Sequence, residues 1–306
     1  MILVTGGTGF VGQALIRQLV AMDRSVRILL RPSQLSPNLP RSIPVEVAVC
    51  SLKDERGLRA AMKGVDVVYH LVGAERLGSK ADLGGVDIDG SKMISAAALE
   101  AGVERLIYLS HLGADRYSAY PVLKAKAISE SFVIHSGIDY TIFRSAIAFG
   151  QKDQFTIPLA RLLKMAPGFF MMPGDGSTLL QPIWIEDLVT CLALALDVPA
   201  TCNQIYSIGG AEYISFRDIV ETIENLINVR RRLFSISPAY LRIVALLIEQ
   251  VYHRFPVSIF WVDYLAADRT CPLDTLPRLF GLMPARFTQQ IDYLRPVENN
   301  LLRRRF

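Results

Sequence analysis

Thr5-Gly6-Gly7-Thr8-Gly9-Phe10-Val11-Gly12 follows directly on the short apolar run Ile2-Leu3-Val4. It leads into Ala14, Leu15, Leu19 and Val20, spaced as one face of a helix. Gly6 suits a tight turn out of a strand, Gly9 lets backbone approach a pyrophosphate, and Gly12 lets the helix pack close to the sheet. The N-terminus of that helix then faces the phosphates. A glycine triplet alone is a weak signal; its setting between a strand and a helix gives it weight. The competing explanation is a glycine turn that binds nothing.

Outward from this turn, the first half of the chain alternates strand and helix patterns. Strands are expected at 25–30, 45–49, 65–71, 105–110 and 139–144. Helices are expected around 58–62, 90–101 and 121–136. Strands separated by helices of this length imply parallel βαβ units. After Gly150 the rhythm changes. The stretch 168–176 reads as a loop, 181–185 returns to strand character, and Glu186-Asp187 starts a helix. Ser215 with Asp218 opens a further helix to Asn228, and an apolar helix runs from Pro238 to Val251. The expected fold is α/β: a doubly wound parallel Rossmann sheet with a small mixed, largely helical C-terminal lobe. Residues 1–150, joined by about 181–210, form the nucleotide-binding domain, and 151–306 form a lobe for a substrate or partner.

Composition supports a folded globule: 51% of the 306 residues are hydrophobic and 20% charged. A net charge of +4 is mildly basic, which suits an anionic ligand or membrane surface and is too weak to argue for nucleic acid. The four cysteines, Cys50, Cys191, Cys202 and Cys271, are scattered without metal-ligand spacing and read as reduced thiols. No metal site is expected. No signal peptide and no apolar run long enough to cross a bilayer is apparent, so the expected location is cytoplasmic, or peripheral at the cytoplasmic face of a membrane.

An NAD site places a carboxylate about 20 residues past the glycines to accept from the ribose 2′-hydroxyl. Here Leu30-Arg31-Pro32-Ser33 stands there instead, and Arg31 suits a 2′-phosphate. The expected cofactor is therefore NADP(H), with NAD(H) as the alternative; a solvated surface arginine is the plainer explanation. Ser51 and Leu52 after the third strand are placed against the adenine, and Leu71, Val72 and Gly73 beneath the cofactor. His70 reads as a packed residue at a strand end.

The segments TGGTGFVG at 5–12, HLVG at 70–73, DIDGS at 87–91, RLIYLSHLGAD at 105–115, KAISE at 126–130, SGIDYTIFRSAIAFG at 136–150 and QPIWIEDL at 181–188 occur in this order. Together they resemble the atypical short-chain dehydrogenase/reductase superfamily, in the branch holding NmrA-like proteins and the nucleotide-binding accessory subunit of respiratory complex I. FPVS at 255–258 and LFGLMPARF at 279–287 resemble the tails of the latter. The resemblance implies a lobe that closes over the cofactor. It covers reductases, epimerases, redox sensors and assembly or accessory subunits, so it brings in a membrane-associated protein complex as a partner without fixing the function.

In this superfamily a tyrosine and a lysine four residues later share one helix face, and a serine polarises the substrate carbonyl. Two registers are open. Tyr120 and Lys124 have the spacing, with Ser110 closing the preceding strand. Against this, Lys126-Ala127-Ile128-Ser129-Glu130 runs without a gap into Ser136-Gly137-Ile138-Asp139-Tyr140-Thr141 as in related sequences. That makes Lys126 the lysine and puts Val122 in the tyrosine position. The resulting candidate set is Tyr120, Lys124 and Ser110 for catalysis, and Thr5 to Gly12, Arg31, Ser51, Leu52, Leu71, Val72, Gly73, Ser110 and Lys126 for the cofactor. The helix 239–251 is apolar around most of its circumference; with Arg230-Arg231-Arg232 and Arg303-Arg304-Arg305 it reads either as buried in the lobe or as a partner or membrane-surface helix. Two functions follow: a non-catalytic accessory, assembly or redox-sensing protein linked to electron-transfer complexes, or an NADP-dependent reductase or epimerase-like enzyme.

Overall fold

A computed structural model describes residues 1–33, 43–251 and 258–295. The tail arginines 303–305 and residues 255–257 lie outside the described residues. A seven-stranded parallel sheet organises the chain. In chain order its first strands are β1 (Ile2–Thr5), β2 (Val26–Leu30), β3 (Glu46–Val49), β4 (Val67–His70), β5 (Arg105–His111) and β6 (Asp139–Ser145). Smaller pairings follow, with β7 (Ala148–Phe149), β8 (Phe169–Pro173), β9 (Leu179–Leu180) and β10 (Ile183–Trp184). The chain then returns to the main sheet as β11 (Gln204–Ile208) before β12 (Ile214–Ser215) and β13 (Arg232–Ile236). The order across the sheet is β11-β6-β5-β4-β1-β2-β3. The chain reverses direction beside β1, and the C-terminal edge at such a switch point is where open α/β sheets bind ligands.

Alternation along each strand divides the core into two layers. Ile2 and Val4 of β1, Ile28 of β2, Ile107 of β5 and Phe143 of β6 face one layer, with α1 (Phe10–Ala21) and α6 (Ile185–Leu194). Leu3, Leu29, Leu106, Tyr108 and Ile142 face the other, with α2 (Glu55–Ala61), α3 (Asp89–Glu100) and α4 (Pro121–Ile134). Central strands buried on both faces are apolar over most of their length, with polar residues at their ends, which is why they read as runs. This is the doubly wound α/β Rossmann architecture.

A third core belongs to the lobe. It joins α5 (Thr156–Met165), β8, α7 (Phe216–Leu226) and α9 (Ile259–Tyr264). Helix α7 buries Phe216, Ile219, Val220 and Ile223, the i, i+3, i+4, i+7 stripe of an amphipathic helix. The Ser215 hydroxyl accepts from the Asp218 amide at 3.1 Å and caps it. The stretch read as a loop at 168–176 contains β8, which pairs in parallel with β13. Its run of bulky residues between glycines carries no period-2 alternation of polarity, because Phe169 and Met171 stay exposed while Phe170 and Met172 are buried. Between the strand read at 181–185 and the structure there is a similar difference: only Ile183–Trp184 pairs.

His70, at the end of β4, is fully buried. Its Nδ1 lies 2.7 Å from the Thr5 hydroxyl and its Nε2 3.1 Å from that of Ser91. Burial, reinforced by Lys126, lowers its pKa from 6.5 to about 3. The fold therefore holds the neutral ring, whereas the unfolded chain protonates first as the pH falls. Stability from this group is complete above the unfolded value and is lost between pH 6.5 and about 3. Urea denaturation across that window should show an extra slope of about 1.4 kcal/mol per pH unit relative to His70→Gln. Equal slopes for the two proteins would contradict the assignment.

Candidate functional site

The turn between β1 and α1 leaves no room for side chains at two places. Gly6 has a φ of +75°, and a Cβ there would lie 2.8 Å from the Leu71 carbonyl. A Cβ on Gly12 would lie 2.3 Å from the Gly6 oxygen. Helix α1 can therefore start directly over the strand end. Its first turn carries no acidic residue and its N-cap, Gly9, makes no side-chain cap. The orphan first-turn amides of a helix attract anions.

The cleft in front of this turn has a volume of about 2250 Å³ and follows the C-terminal edge of the sheet. Arg31, Ser51 and Leu52 line it beyond β2 and β3. Thr5, Gly6, Thr8, Gly9, Phe10, Val11, Gly12, Leu71, Val72 and Gly73 line its middle. Ser110, His111 and Lys126 line the part beyond β5. Among the residues assigned to the cofactor from sequence, Gly7 alone is not in the lining; a Cβ there would meet Ile28 and Ile16 in the core. The lobe covers the β5 end with Phe155, Trp261, Tyr264 and Tyr293.

Buried charges gather at that end. The Lys126 ammonium, 3% exposed, pairs with Asp87 at 2.9 Å, lies 3.9 Å from Glu75 and donates to the Val72 carbonyl at 3.3 Å. Burial opposes its charge, but Asp87, Tyr108 and Glu75 outweigh this and raise its pKa well above the ordinary lysine value. Burial pushes the Glu75 carboxyl up, and Lys126 and His111 overcome it, holding the group far below the usual carboxylate range. Glu75 Oε2 nevertheless has no hydrogen-bond partner among the described residues, and neither does the buried Tyr264 hydroxyl. Both belong to residues of the cleft wall. These unmet groups and the uncapped helix suit a ligand with phosphates and hydroxyls.

Ser110 is committed elsewhere. Its hydroxyl donates to Glu130 Oε1 at 2.5 Å, and Glu130 in turn accepts from Arg144 at 2.6 and 3.0 Å. Asp153 is a second buried hub. It accepts from the amides of Gly150, Phe155 and Ile157 and from the hydroxyls of Thr156 and Tyr293. It thereby holds the start of α5 and the Tyr293 ring in place over the cleft.

Residues 6–154 match the family model described as NAD(P)H-binding. The chain is 28% identical over 233 residues to NADH dehydrogenase (ubiquinone) 1 alpha subcomplex subunit 9 of Arabidopsis thaliana, covering 73% of this chain and 57% of that protein. The chain thus spans just over half the length of that relative. It is 22% identical over 308 residues to a photosystem II assembly factor of Synechocystis, covering 99% of this chain and 92% of the relative. Its fold matches a structure of an NADPH-dependent quinone oxidoreductase of Escherichia coli complexed with NADPH, with a TM-score of 0.76 at 18% identity over 96% of this chain and 99% of the other.

Over residues 6–154 the chain carries an NAD(P)H-binding domain, and its relatives include proteins like the atypical short-chain dehydrogenases/reductases. That domain is built on a Rossmann fold. Within that fold, Tyr120 caps α4 as a half-buried residue and Lys124 is exposed, and neither lines the cleft. Lys126 does. One helical turn before it stands Val122, packed against the lobe core.

Glu75, Asp87, His111 and Tyr264 were not assigned roles from sequence. Asp87 lies in the DIDGS segment and His111 in RLIYLSHLGAD, the pointers available, while Glu75 follows a strand end with no periodic signal. Tyr264 arrives from the lobe, far away in sequence, so only the tertiary fold brings it to the cleft.

Gly9 separates fold from binding. Its φ of −74° is open to any residue and a Cβ there meets only the Gly6 oxygen, at 3.2 Å. Gly9→Val should fold with a near-native thermal transition and lose dinucleotide binding in calorimetry. Binding at the original affinity would reduce the turn to a structural device.

Proposed function

We propose that this protein binds NADP(H) as a non-catalytic ligand and acts as an accessory, assembly or redox-sensing component of an electron-transfer complex. The observation that carries this reading is Val122. With Lys126 in the cleft, an aliphatic side chain occupies the helical position of the superfamily's phenol. When bound, NADPH supplies a hydride, and a reductase also needs a group that delivers a proton. The Ser110 proton is already donated to Glu130. The two relatives described above, a subunit of NADH dehydrogenase and a photosystem assembly factor, support a role in such complexes.

In this reading residues 1–150 with about 181–210 form the cofactor domain and 151–306 the lobe. The first-turn amides of α1 hold the pyrophosphate, Arg31 pairs with the 2′-phosphate, Ser51 and Leu52 flank the adenine, and Lys126 holds the nicotinamide ribose. A reductase is the second reading. It is favoured by His111, whose Nε2 lies 3.6 Å from Glu75 within the cleft wall and offers a proton-carrying group in place of the phenol.

Purified protein loaded with NADPH should show no oxidation above the buffer rate with quinones, ketones or sugar nucleotides. Sustained turnover abolished by His111→Ala would establish the reductase instead. In fluorescence titrations NADPH should bind more tightly than NADH, and Arg31→Ala should weaken NADPH by about 1–3 kcal/mol while leaving NADH nearly unchanged. Equal affinities in the parent protein would remove the NADP preference. Lys126→Ala should weaken both cofactors more than Lys124→Ala does, with Tyr120→Phe close to neutral. The reverse pattern would restore the Tyr120–Lys124 register.

A further inference from the structure

Helix α5 separates two cavities. Ile157, Ala160, Arg161 and Lys164 look into the cofactor cleft. On its other side, α5 joins β8 and α8 (Pro238–Val251) around a second cavity of about 330 Å³. That volume is at the lower end for small-molecule sites. Every residue lining it carries an apolar or aromatic side chain. Water needs several polar partners to stay in a cavity, so a site of this kind is dry and favours hydrocarbon.

The cavity has an apolar mouth. Met165, 59% exposed, Phe169, 43% exposed, and Val244, 36% exposed, all contribute to its wall and to the outer surface. Along α8 the exposed stripe continues with Tyr240, Ile243 and Leu247. Charge beside the mouth is basic. In the Arg230-Arg231-Arg232 run, Arg231 turns inward and donates to the Leu163 carbonyl at 2.9 Å. Arg230 and Arg232 remain exposed, and strand register sets Arg232 opposite Phe169.

We infer that this cavity binds the alkyl chain of an anionic amphiphile, its chain between α5, β8 and α8 and its carboxylate or phosphate head beside Arg232. A free fatty acid and a membrane phospholipid share this chemistry. The inference does not depend on whether the cofactor cleft is catalytic. It also gives the apolar helix of the lobe a use on both of its faces, since Leu241, Ala245 and Ile248 line the cavity.

Trp261 lies in the wall and is the sole tryptophan once Trp184 is replaced. In a Trp184→Phe background, brominated stearate should quench Trp261 fluorescence saturably. Displacement by octanoate, laurate and palmitate should strengthen with length, by up to about fourfold for each methylene buried. Ala245→Phe fills the cavity and should weaken palmitate at least tenfold while NADPH affinity stays unchanged. Met165→Glu, at the exposed mouth where folding is safe, should weaken it as well. Arg232→Glu should weaken palmitate and spare hexadecanol. If brominated phosphatidylglycerol vesicles quench and monomeric brominated stearate does not, the chain comes from the membrane; the opposite result makes it a free fatty acid. Non-saturable quenching by both, affinity independent of chain length, or unweakened palmitate binding by both Met165→Glu and a folded Ala245→Phe would overturn the inference.

Discussion

Helix α1 meets the turn that precedes it so closely that a single methyl group on Gly12 would sit 2.3 Å from the Gly6 carbonyl. Much of the site depends on that contact. It lets α1 begin directly above the end of β1, which brings the amide-rich end of the helix to the switch point of the sheet. There the helix meets the loop after β4, whose Leu71 carbonyl would lie 2.8 Å from any Cβ on Gly6. Two backbone segments and a helix end thus pack together without an intervening side chain, and the uncapped first turn of α1 is left at the cleft.

At the other end of the cleft the chemistry is set by burial of charge. Lys126 would be expensive to bury alone; Asp87 at 2.9 Å and Glu75 at 3.9 Å make it tolerable and keep it protonated. The same pairing limits what the lysine can do. In the proposed reading an ammonium clamped between carboxylates donates to ribose hydroxyls, and the helical position one turn before it holds the aliphatic Val122. The proposed reading takes this end as a holder of the dinucleotide, with His111 as the group that would have to supply a proton if turnover occurs.

The main sheet was legible in the sequence for a simple reason. Its inner strands are buried on both faces, so β1, β2, β4, β5 and β6 appear as mostly apolar runs, and the helices between them force parallel pairing. The glycine turn was legible because its requirement is steric and local. The lobe was harder. Strand β8 has both of its sides apolar, one packed and one exposed, so no alternation marked it. Its partner β13 begins in an arginine run that reads as solvated surface. Nor could the charge cluster be read, since Glu75, Asp87, His111 and Lys126 lie on four separate elements, one strand end and three helical segments, that only the fold brings together. The competing lysine registers could be ranked by spacing, but which lysine enters the cleft is a matter of which face α4 buries.

If the cleft built around the glycine turn holds NADP(H) as proposed, the dinucleotide stays with the protein through purification. Mass spectrometry of ligands released from protein purified gently, without added cofactor, tests it most directly. The expected result is NADP⁺ or NADPH in equimolar ratio to the chain, absent from Gly9→Val prepared in the same way. A chain that carries no dinucleotide and takes none up, or one that retains only NAD(H), would contradict it.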